Sequence, residues 1–238
     1  MKIRMLQGHN QPPKAAHINV VIDVIRAFTV AHHAFLRGAQ GIIPAATVDE
    51  ALELKRLNPD FILAGEIKGL LIPGFELDNS PARLQEFDLQ GKLLIQKTTN
   101  GVTAALNALN AEHVLVTGFS NARTTAEIIK DRWLRDEETT INIIASHPSG
   151  DDDLACAEYI ADLLQWSDCV TPEATIQRIR ASEAAKKFYD NGQPEFLEED
   201  LSLCTQEVPS DFVMKVNIRN GMPLIEKVMA GSIHAHVR

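Results

Sequence analysis

Short apolar runs alternate with helical patterns of apolar and polar positions from about residue 17 to residue 165. The runs are rich in β-branched residues and several end in a polar side chain, as buried strands do. Predicted strands cover residues 17–23, 41–44, 61–64, 92–96, 113–117 and 140–145. Helical patterns between most of them indicate β-α units. The expected fold is α/β, with three α/β/α layers around a largely parallel or mixed sheet.

Helix boundaries follow from capping residues. The first helix is predicted over residues 27–37. The second begins after Thr47, whose spacing to Glu50 is that of a capping box, and runs to about Leu57. The segment 65–81 is long and rich in turn residues. Because loops of this length in compact domains are usually functional, this segment is a candidate part of a binding site.

The strand-helix alternation fades after about residue 167. A helix is predicted to start at 171–173 (Thr-Pro-Glu) and to end at 191–192 (Asn-Gly), both with suitable cap chemistry. Asn220 and Gly221 lie between two apolar runs, 212–216 and 224–225, which predicts a hairpin. The chain is therefore divided into an α/β catalytic core, 1–167, and an appended helix and hairpin region, 168–238, of the same domain.

The composition is that of a folded globular protein. The chain has 238 residues, of which 45% are hydrophobic and 23% charged, so disordered and fibrous classes are excluded. It carries 32 acidic and 23 basic residues, a net charge of −9, which argues against nucleic-acid and anionic-membrane partners. A small anionic ligand remains compatible with this charge if a few cations line one cleft.

The cysteines indicate neither a disulfide framework nor a zinc site, because Cys156, Cys169 and Cys204 are few and widely spaced. The start of the chain has no apolar segment of signal-peptide length, and no stretch reaches the length of a membrane span. These features predict a cytoplasmic protein. A homodimer is left open.

Polar side chains gather where the predicted strands end. In an open α/β sheet, ligands bind beyond the carboxyl ends of the strands, so these residues are considered together. The acids suit Mg²⁺, which takes carboxylate oxygens and water, and the hydroxyl and N–H donors suit a phosphate. The set comprises Asp23, Arg26, Glu66, Lys68, Asn79, Ser80, Thr98, Thr99, Asn100, Gly101, Asn121, Arg123, Asp152 and Asp153.

Each member also has a purely structural interpretation. Asp23 is about as well suited to cap the next helix as to bind a metal, and Glu66 could be a solvated loop acid. The acids 151–153 could simply favour the start of their helix, and 98–101 could be an ordinary helix start. Only the common location of these residues at strand ends favours the functional interpretation over the structural one.

Several enzyme classes are disfavoured by missing motifs. The chain has no GxGxxG after a strand, no P-loop and no GxSxG nucleophile elbow. Ile25 stands where an aspartyl-phosphate phosphatase would have a second acid after Asp23, and no cysteine has an arginine at phosphatase spacing. Dinucleotide binding, nucleoside triphosphate hydrolysis and covalent serine or cysteine catalysis are therefore not expected.

Five segments, taken in order, resemble the motifs of the 2-phosphosulfolactate phosphatase family over roughly residues 17–165. They are 23–27 (DVIRA), 65–66 (GE), 74–81 (GFELDNSP), 98–101 (TTNG) and 152–157 (DDLACA). The resemblance implies a Mg²⁺-dependent phosphomonoesterase that hydrolyses 2-phosphosulfolactate to sulfolactate and phosphate. This chain departs from the family pattern at Ile67 and Thr103, where arginines are expected, and at Asp152, where glutamate is expected.

The combined hypothesis assigns roles to the strand-end residues. The catalytic residues would be Asp23, Arg26 and Asp153, with Mg²⁺ held by Asp23, Glu66, Asp152 and Asp153. The substrate, a small anionic phosphorylated compound, would be bound by Lys68, Asn79, Ser80, Thr98, Thr99, Asn100, Gly101 and Arg123. Two alternatives remain at this point: a non-catalytic phosphate-binding protein that keeps the anion site, and an α/β scaffold in an assembly.

Overall fold

A ten-stranded mixed sheet is formed by the residues that the computed structural model describes, 1–9, 12–190 and 192–231. Its order is β1-β8-β2-β7-β9-β10-β3-β6-β4-β5. The strands are β1 (Lys2–Gln7), β2 (Ala16–Ile22), β3 (Gly41–Pro44), β4 (Ile62–Ile67), β5 (Leu70–Leu71), β6 (Leu93–Lys97), β7 (Ala111–Thr117), β8 (Thr140–Ala145), β9 (Phe212–Arg219) and β10 (Met222–Met229).

The helices lie on both faces of this sheet, which confirms the expected three-layer α/β/α fold. They are α1 (Ala27–Leu36), α2 (Val48–Leu57), α3 (Gly101–Asn107), α4 (Ala122–Arg132), α5 (Asp151–Gln165), α6 (Pro172–Ala181), α7 (Glu183–Lys186) and α8 (Glu198–Cys204). None of the described helices is both long and apolar enough to span a membrane.

The sheet consists of two parallel blocks joined by an antiparallel hairpin. The first block is β1-β8-β2-β7 and the second is β3-β6-β4. The predicted hairpin is present as β9–β10, and it pairs antiparallel with β7 on one side and β3 on the other. Its turn has positive φ at Asn220 (51°) and Gly221 (80°), as a two-residue hairpin loop requires. The hairpin is thus integral to the sheet, whereas the predicted division at residue 167 stays a prediction.

The two blocks run in opposite directions because three successive antiparallel pairings separate β7 from β3. Both blocks and the hairpin nevertheless contribute to one apolar cluster with α1, which includes Val21, Ile42 and Phe212. Twist that accumulates over the intervening strands can bring the carboxyl ends of the two blocks together. This geometry differs from the single shared edge that the strand pattern suggests.

The first two-thirds follow the predicted elements closely. Thr47 caps α2 by accepting a hydrogen bond from the N–H of Glu50, at 3.1 Å. Strand β1 was not predicted, because it is a partly exposed edge strand with alternating charged and apolar residues. Edge strands of this kind lack the apolar run that marks a buried strand.

The helix predicted from residue 171 to 191–192 is wrong in its length. Helix α6 begins after Thr171 as expected, but it ends at Ala181. The extended backbone of Ser182 interrupts it, and the Ser182 hydroxyl then accepts a hydrogen bond from the N–H of Ala185 to start α7. A short 3-10 turn, Lys187–Tyr189, follows. Asn191, part of the predicted helix end, lies outside the described residues.

Candidate active site

A cleft of about 410 Å³ opens where the carboxyl ends of the two parallel blocks meet. Residues after β2 and β8 form one part of its lining, and residues after β4 and β6 form another. The region around α7 closes a third side. The lining residues are Asp23, Ile25, Arg26, Glu66, Lys68, Gly69, Asn79, Thr99, Asn100, His147, Ser149, Gly150, Glu183, Ala184 and Lys187.

Asp23 both caps α1 and lines the cleft, so the two interpretations offered by the sequence hold together. Its Oδ1 accepts a hydrogen bond from the N–H of Ala27 at 2.9 Å, and its Oδ2 accepts one from the Ser146 hydroxyl at 3.3 Å. Burial raises the pKa of Asp23 to about 7, and the nearby charges of Asp152 and Glu66 act in the same direction. A cation in the cleft would stabilise the ionised form of this carboxylate.

Asp152 and Asp153 lie behind Asp23 in the first turn of α5. Asp153 accepts hydrogen bonds from the N–H groups of Val24 (2.8 Å) and His147 (3.0 Å) and from the Ser146 hydroxyl (3.0 Å). It thereby joins the chain segments after β2 and β8. Burial, with the charges of Asp152 and Asp23, raises the pKa of Asp153 well above its usual value.

Asp152 differs from Asp153 in having an unpaired oxygen. Its Oδ1 is buried and has no hydrogen-bond partner within the described ranges. Burial raises the pKa of Asp152 to about 6. A buried carboxylate oxygen without a partner is costly, so this atom has the environment of a cation ligand.

Glu66 is held by the segment that follows β6. Its Oε1 accepts a hydrogen bond from the N–H of Thr99 at 2.6 Å, and its Oε2 accepts one from the N–H of Gly69 at 2.5 Å. The approach requires Gly65, because a Cβ atom there would lie 2.0 Å from the carbonyl oxygen of Lys97. Glu66 is therefore a buried, oriented acid and not a solvated loop residue.

Gly101 allows the start of α3 to pack directly on Asp23. A Cβ atom at Gly101 would lie 2.5 Å from Asp23 Oδ2. Thr98 caps the same helix by accepting a hydrogen bond from the N–H of Val102 at 3.1 Å. Gly101 and Thr98, both predicted to bind substrate, thus have structural contacts that explain their presence without a ligand.

Arg26 lines the cleft, but its charge is paired within the protein. One guanidinium nitrogen donates to Asp200 Oδ2 at 2.6 Å, and both side chains are almost fully buried. Another donates to the carbonyl oxygen of Gly69 at 3.1 Å. The rings of Phe188 and Phe196 lie 5.2 and 5.5 Å from the guanidinium carbon. These contacts fix the position of Arg26 and offset much of its charge.

Asp200 also explains the position of Ser80. Asp200 Oδ1 accepts hydrogen bonds from the Ser80 hydroxyl at 2.6 Å and from the N–H of Ala82 at 3.0 Å. Ser80 is fully buried and does not line the cleft. Its neighbour Asn79 does, and Asn79 Oδ1 has no hydrogen-bond partner within the described ranges.

The predicted residues divide into three groups. Seven line the cleft: Asp23, Arg26, Glu66, Lys68, Asn79, Thr99 and Asn100. Five lie outside the cleft lining: Ser80, Thr98, Gly101, Asp152 and Asp153. The third group has other partners outside the cleft lining: Arg123 forms an ion pair with Glu207 at 3.3 Å and contacts Tyr159, and Asn121 accepts a hydrogen bond from the Thr117 hydroxyl. Ile67 and Thr103, the departures from the family pattern, do not line the cleft either.

Lys187, His147 and Asp200 are site residues that the sequence did not single out. Lys187 and Asp200 belong to the last third of the chain, where no motif directed attention to them. His147 follows β8 directly, so its position at a strand end was an available signal. Burial lowers the pKa of Lys187, and the positive charge of Arg26 acts in the same direction.

The donors near the cleft suit a hard divalent cation, although they do not form a preassembled site within the described residues. No three histidine, cysteine, aspartate or glutamate side chains converge as a preformed metal site among residues 1–9, 12–190 and 192–231. The donors near the cleft are, however, oxygens, and Asp152 Oδ1 and Asn79 Oδ1 are unpaired. Mg²⁺ typically uses one or two carboxylates and keeps several waters, so this donor set fits it.

A three-layer α/β fold with buried carboxylates and lysines around one cleft is typical of an enzyme active site. Comparison with known proteins identifies the kind of enzyme. The sequence model of a family described as "2-phosphosulpholactate phosphatase" matches residues 4–218. The chain belongs to this family, which confirms the resemblance seen in its motifs.

Individual relatives agree with the family match. A Bacillus subtilis (strain 168) protein named "Probable 2-phosphosulfolactate phosphatase" is 54% identical over 229 residues, which cover 96% of this chain and 100% of the relative. Proteins with the same name from Caldicellulosiruptor saccharolyticus and Clostridium perfringens (strain 13) are 35% and 34% identical. Those matches cover 82% and 86% of this chain, and 85% and 87% of the relatives, respectively.

Proposed function

We propose that this protein is a Mg²⁺-dependent phosphatase that hydrolyses 2-phosphosulfolactate to sulfolactate and phosphate. Family membership and the names of its relatives support the reaction and the substrate. The arrangement of charge in the cleft supports both a cation and a phosphorylated anion. In the reaction, water attacks phosphorus, the ester P–O bond breaks, and the leaving oxygen takes up a proton.

The proposed ligands for Mg²⁺ are one or two carboxylates drawn from Asp23, Glu66 and Asp152, with water completing the coordination, since no three acids converge within the described residues. Bound there, the cation would neutralise charge on the phosphoryl group and help to align it for in-line attack. Asp153 holds the segments after β2 and β8 through its hydrogen bonds to Val24 and Ser146. Its role is therefore to position the site, in place of the predicted catalytic and ligand roles.

Other residues of the cleft lining are proposed to bind the substrate. Lys68 supplies positive charge, and Asn79, Thr99 and Asn100 supply polar groups along the lining. The Arg26 side chain also lines the cleft, and its ion pair with Asp200 holds it in place. A substrate with several negative charges needs such groups to replace its hydration.

The observation that carries the proposal is the unpaired, buried Asp152 Oδ1 in a cluster with Asp23 and Asp153. Three buried acids repel one another, and no described arginine or lysine forms an ion pair with any of them. A divalent cation provides the missing positive charge. The cluster is therefore better explained by a metal-dependent phosphatase than by a scaffold.

A panel of phosphorylated hydroxy acids, assayed on metal-stripped protein with and without added Mg²⁺, tests the proposal. We expect phosphate release that requires Mg²⁺ and is fastest with 2-phosphosulfolactate. Undiminished release by stripped protein would overturn the metal requirement. Phosphate binding without release from any ester would favour the non-catalytic alternative instead.

A further inference from the structure

Three cations line the cleft, and they differ in how their charges are compensated. Arg26 is paired with Asp200 in the protein interior, at 2.6 Å. Lys68 lies on an exposed turn, where water solvates it. Lys187 is partly buried, and the described part of the chain offers it no ion-pair partner within 4.0 Å. Lys187 is thus a partly buried cation of the cleft without a direct ion-pair partner, and the charges of Glu66, Asp152 and Asp23 act on it only from a distance.

The position of Lys187 is set by aromatic packing. Its Nζ lies 4.5 Å from the centre of the Phe196 ring and 5.7 Å from that of Phe188, the two rings that also flank Arg26. A Cβ atom at Gly69 would lie 3.2 Å from the same Nζ, so glycine leaves room for the ammonium group at the cleft. The ammonium group is therefore held at the cleft by packing rather than by a carboxylate.

The acids of the cleft do not serve as direct partners of Lys187. Glu66 is occupied by the N–H groups of Thr99 and Gly69, and Glu183 forms an ion pair with Lys186. A partly buried charge without a counter-ion is unfavourable, and such charges in clefts are characteristic of ligand sites. An anion that enters the cleft would supply the direct ionic contact that these acids do not make.

We propose that Lys187 is a substrate-binding residue that contacts an anionic oxygen of the phosphoryl group. The assignment deepens the proposed phosphatase function and rests on it for the identity of the substrate. From the sequence, Arg26 was expected to act in catalysis and Lys68 and Arg123 to bind the substrate, whereas Lys187 was not among the expected residues. The last third of the chain thereby contributes directly to the site, through the turn that follows α7.

Inorganic phosphate is the probe for this proposal, because its binding can be measured by calorimetry without turnover. Lys187→Met should weaken phosphate binding about tenfold or more, the effect of losing one charge-assisted contact. Lys187→Arg should retain most of the binding, since it restores a cation. Lys186→Met is the matched control: it removes the same charge one residue away, where the lysine is exposed and paired with Glu183. We expect it to change binding by less than about twofold.

The outcomes separate this proposal from the proposed function. If Lys187→Met weakens phosphate binding while the wild type releases no phosphate from any ester, the binding assignment stands and the phosphatase function falls. If Lys187→Met and Lys187→Gln bind phosphate like the wild type, the assignment is overturned, even where the wild type is an active phosphatase. Absence of phosphate binding by the wild type, with or without Mg²⁺, also overturns it. Melting temperatures of all variants show whether a loss of binding reflects unfolding.

Discussion

Two groups of buried charge lie beside the same cleft, and they are built in opposite ways. The arginine pair, Arg26 with Asp200, joins opposite charges and satisfies the remaining carboxylate oxygen with Ser80 and Ala82. The acid cluster, Asp23 with Asp152 and Asp153, brings like charges together and leaves an oxygen unpaired.

The difference distinguishes charges that support the structure from charges that are available to bind a ligand. A buried pair with complete hydrogen bonding can be maintained by the protein alone, although it adds little net stability over an apolar core. A buried cluster of like charges raises the free energy of the folded state unless a proton or a cation neutralises it. The arginine pair therefore positions the cleft, and the acid cluster is the part that needs a ligand.

The largest expected effect is that of breaking the arginine pair. Asp200→Asn leaves the Arg26 charge buried without its partner, which should lower the free energy of unfolding by about 3–5 kcal/mol. For a chain of this size the melting temperature should fall by roughly 10 °C. Glu207→Gln, which breaks the partly exposed pair with Arg123, is the control and should cost less than about 1 kcal/mol. Equal losses of stability in the two variants would show that burial does not make the Arg26–Asp200 pair more important than the partly exposed pair.

Asp23→Asn tests the acid cluster through activity. Loss of a charged ligand should reduce kcat/KM at least about a hundredfold, because metal stabilisation of the transition state amounts to several kcal/mol. The fold should persist, since asparagine can still accept the hydrogen bond from Ala27. Steady-state kinetics and a melting curve measure the two effects. Wild-type turnover by this variant would show that Asp23 only caps α1.

Asp152→Asn should stabilise the metal-free protein. The pKa of Asp152 is about 6 in the folded state, above its usual value, so its contribution to stability is complete at low pH and lost as pH rises through 6. Removing the charge should therefore raise the free energy of unfolding by about 2–3 kcal/mol at pH 8 and by much less at pH 4. Urea denaturation at both pH values measures the difference.

The neighbouring acid provides a control for Asp152→Asn. Asp151 is paired with Arg178 at the surface, at 2.5 Å, so Asp151→Asn should be neutral or slightly destabilising at pH 8. If both variants shift stability alike, the gain at Asp152 arises from the change in net charge and not from the buried cluster.

The smallest expected effect is that of removing the Arg123 side chain, which lies outside the cleft lining. Arg123 was predicted to bind substrate, but it pairs with Glu207 away from the cleft. Arg123→Ala should change kcat/KM by less than about twofold and stability by less than about 1 kcal/mol, as removal of a half-exposed pair does. A tenfold rise in KM would place this side chain in the substrate site after all.

Local signals in the sequence were sufficient to predict most secondary-structure elements and about half of the residues at the site. The Thr47 cap, the Asn220-Gly221 turn and the strand ends at Asp23 and Glu66 each follow from a short stretch of chain. The family motifs then indicated which of the polar residues at those strand ends belong to the site. Such features are predictable because the interactions that produce them span only a few residues.

The features that the sequence did not predict depend on contacts between residues that are far apart in the chain. Arg26 and Asp200 are 174 residues apart, and nothing near Asp200 in the sequence marks it as a buried acid. Lys187 is one of two adjacent lysines, and only packing against Phe196 distinguishes it from the exposed Lys186. The opposite directions of the two parallel blocks depend likewise on where the hairpin pairs, which no local pattern encodes.

The place of the β9–β10 hairpin has a consequence for how the chain is assembled. Until residues 212–229 leave the ribosome, β7 and β3 have unpaired edges, and the two blocks, although connected through α1 and α3, have no hydrogen-bonded bridge across the sheet. Unpaired strand edges are prone to wrong pairing with other chains. We therefore expect nascent chains that stop before the hairpin to be susceptible to aggregation, and the cleft to form only after nearly the whole protein has been synthesised.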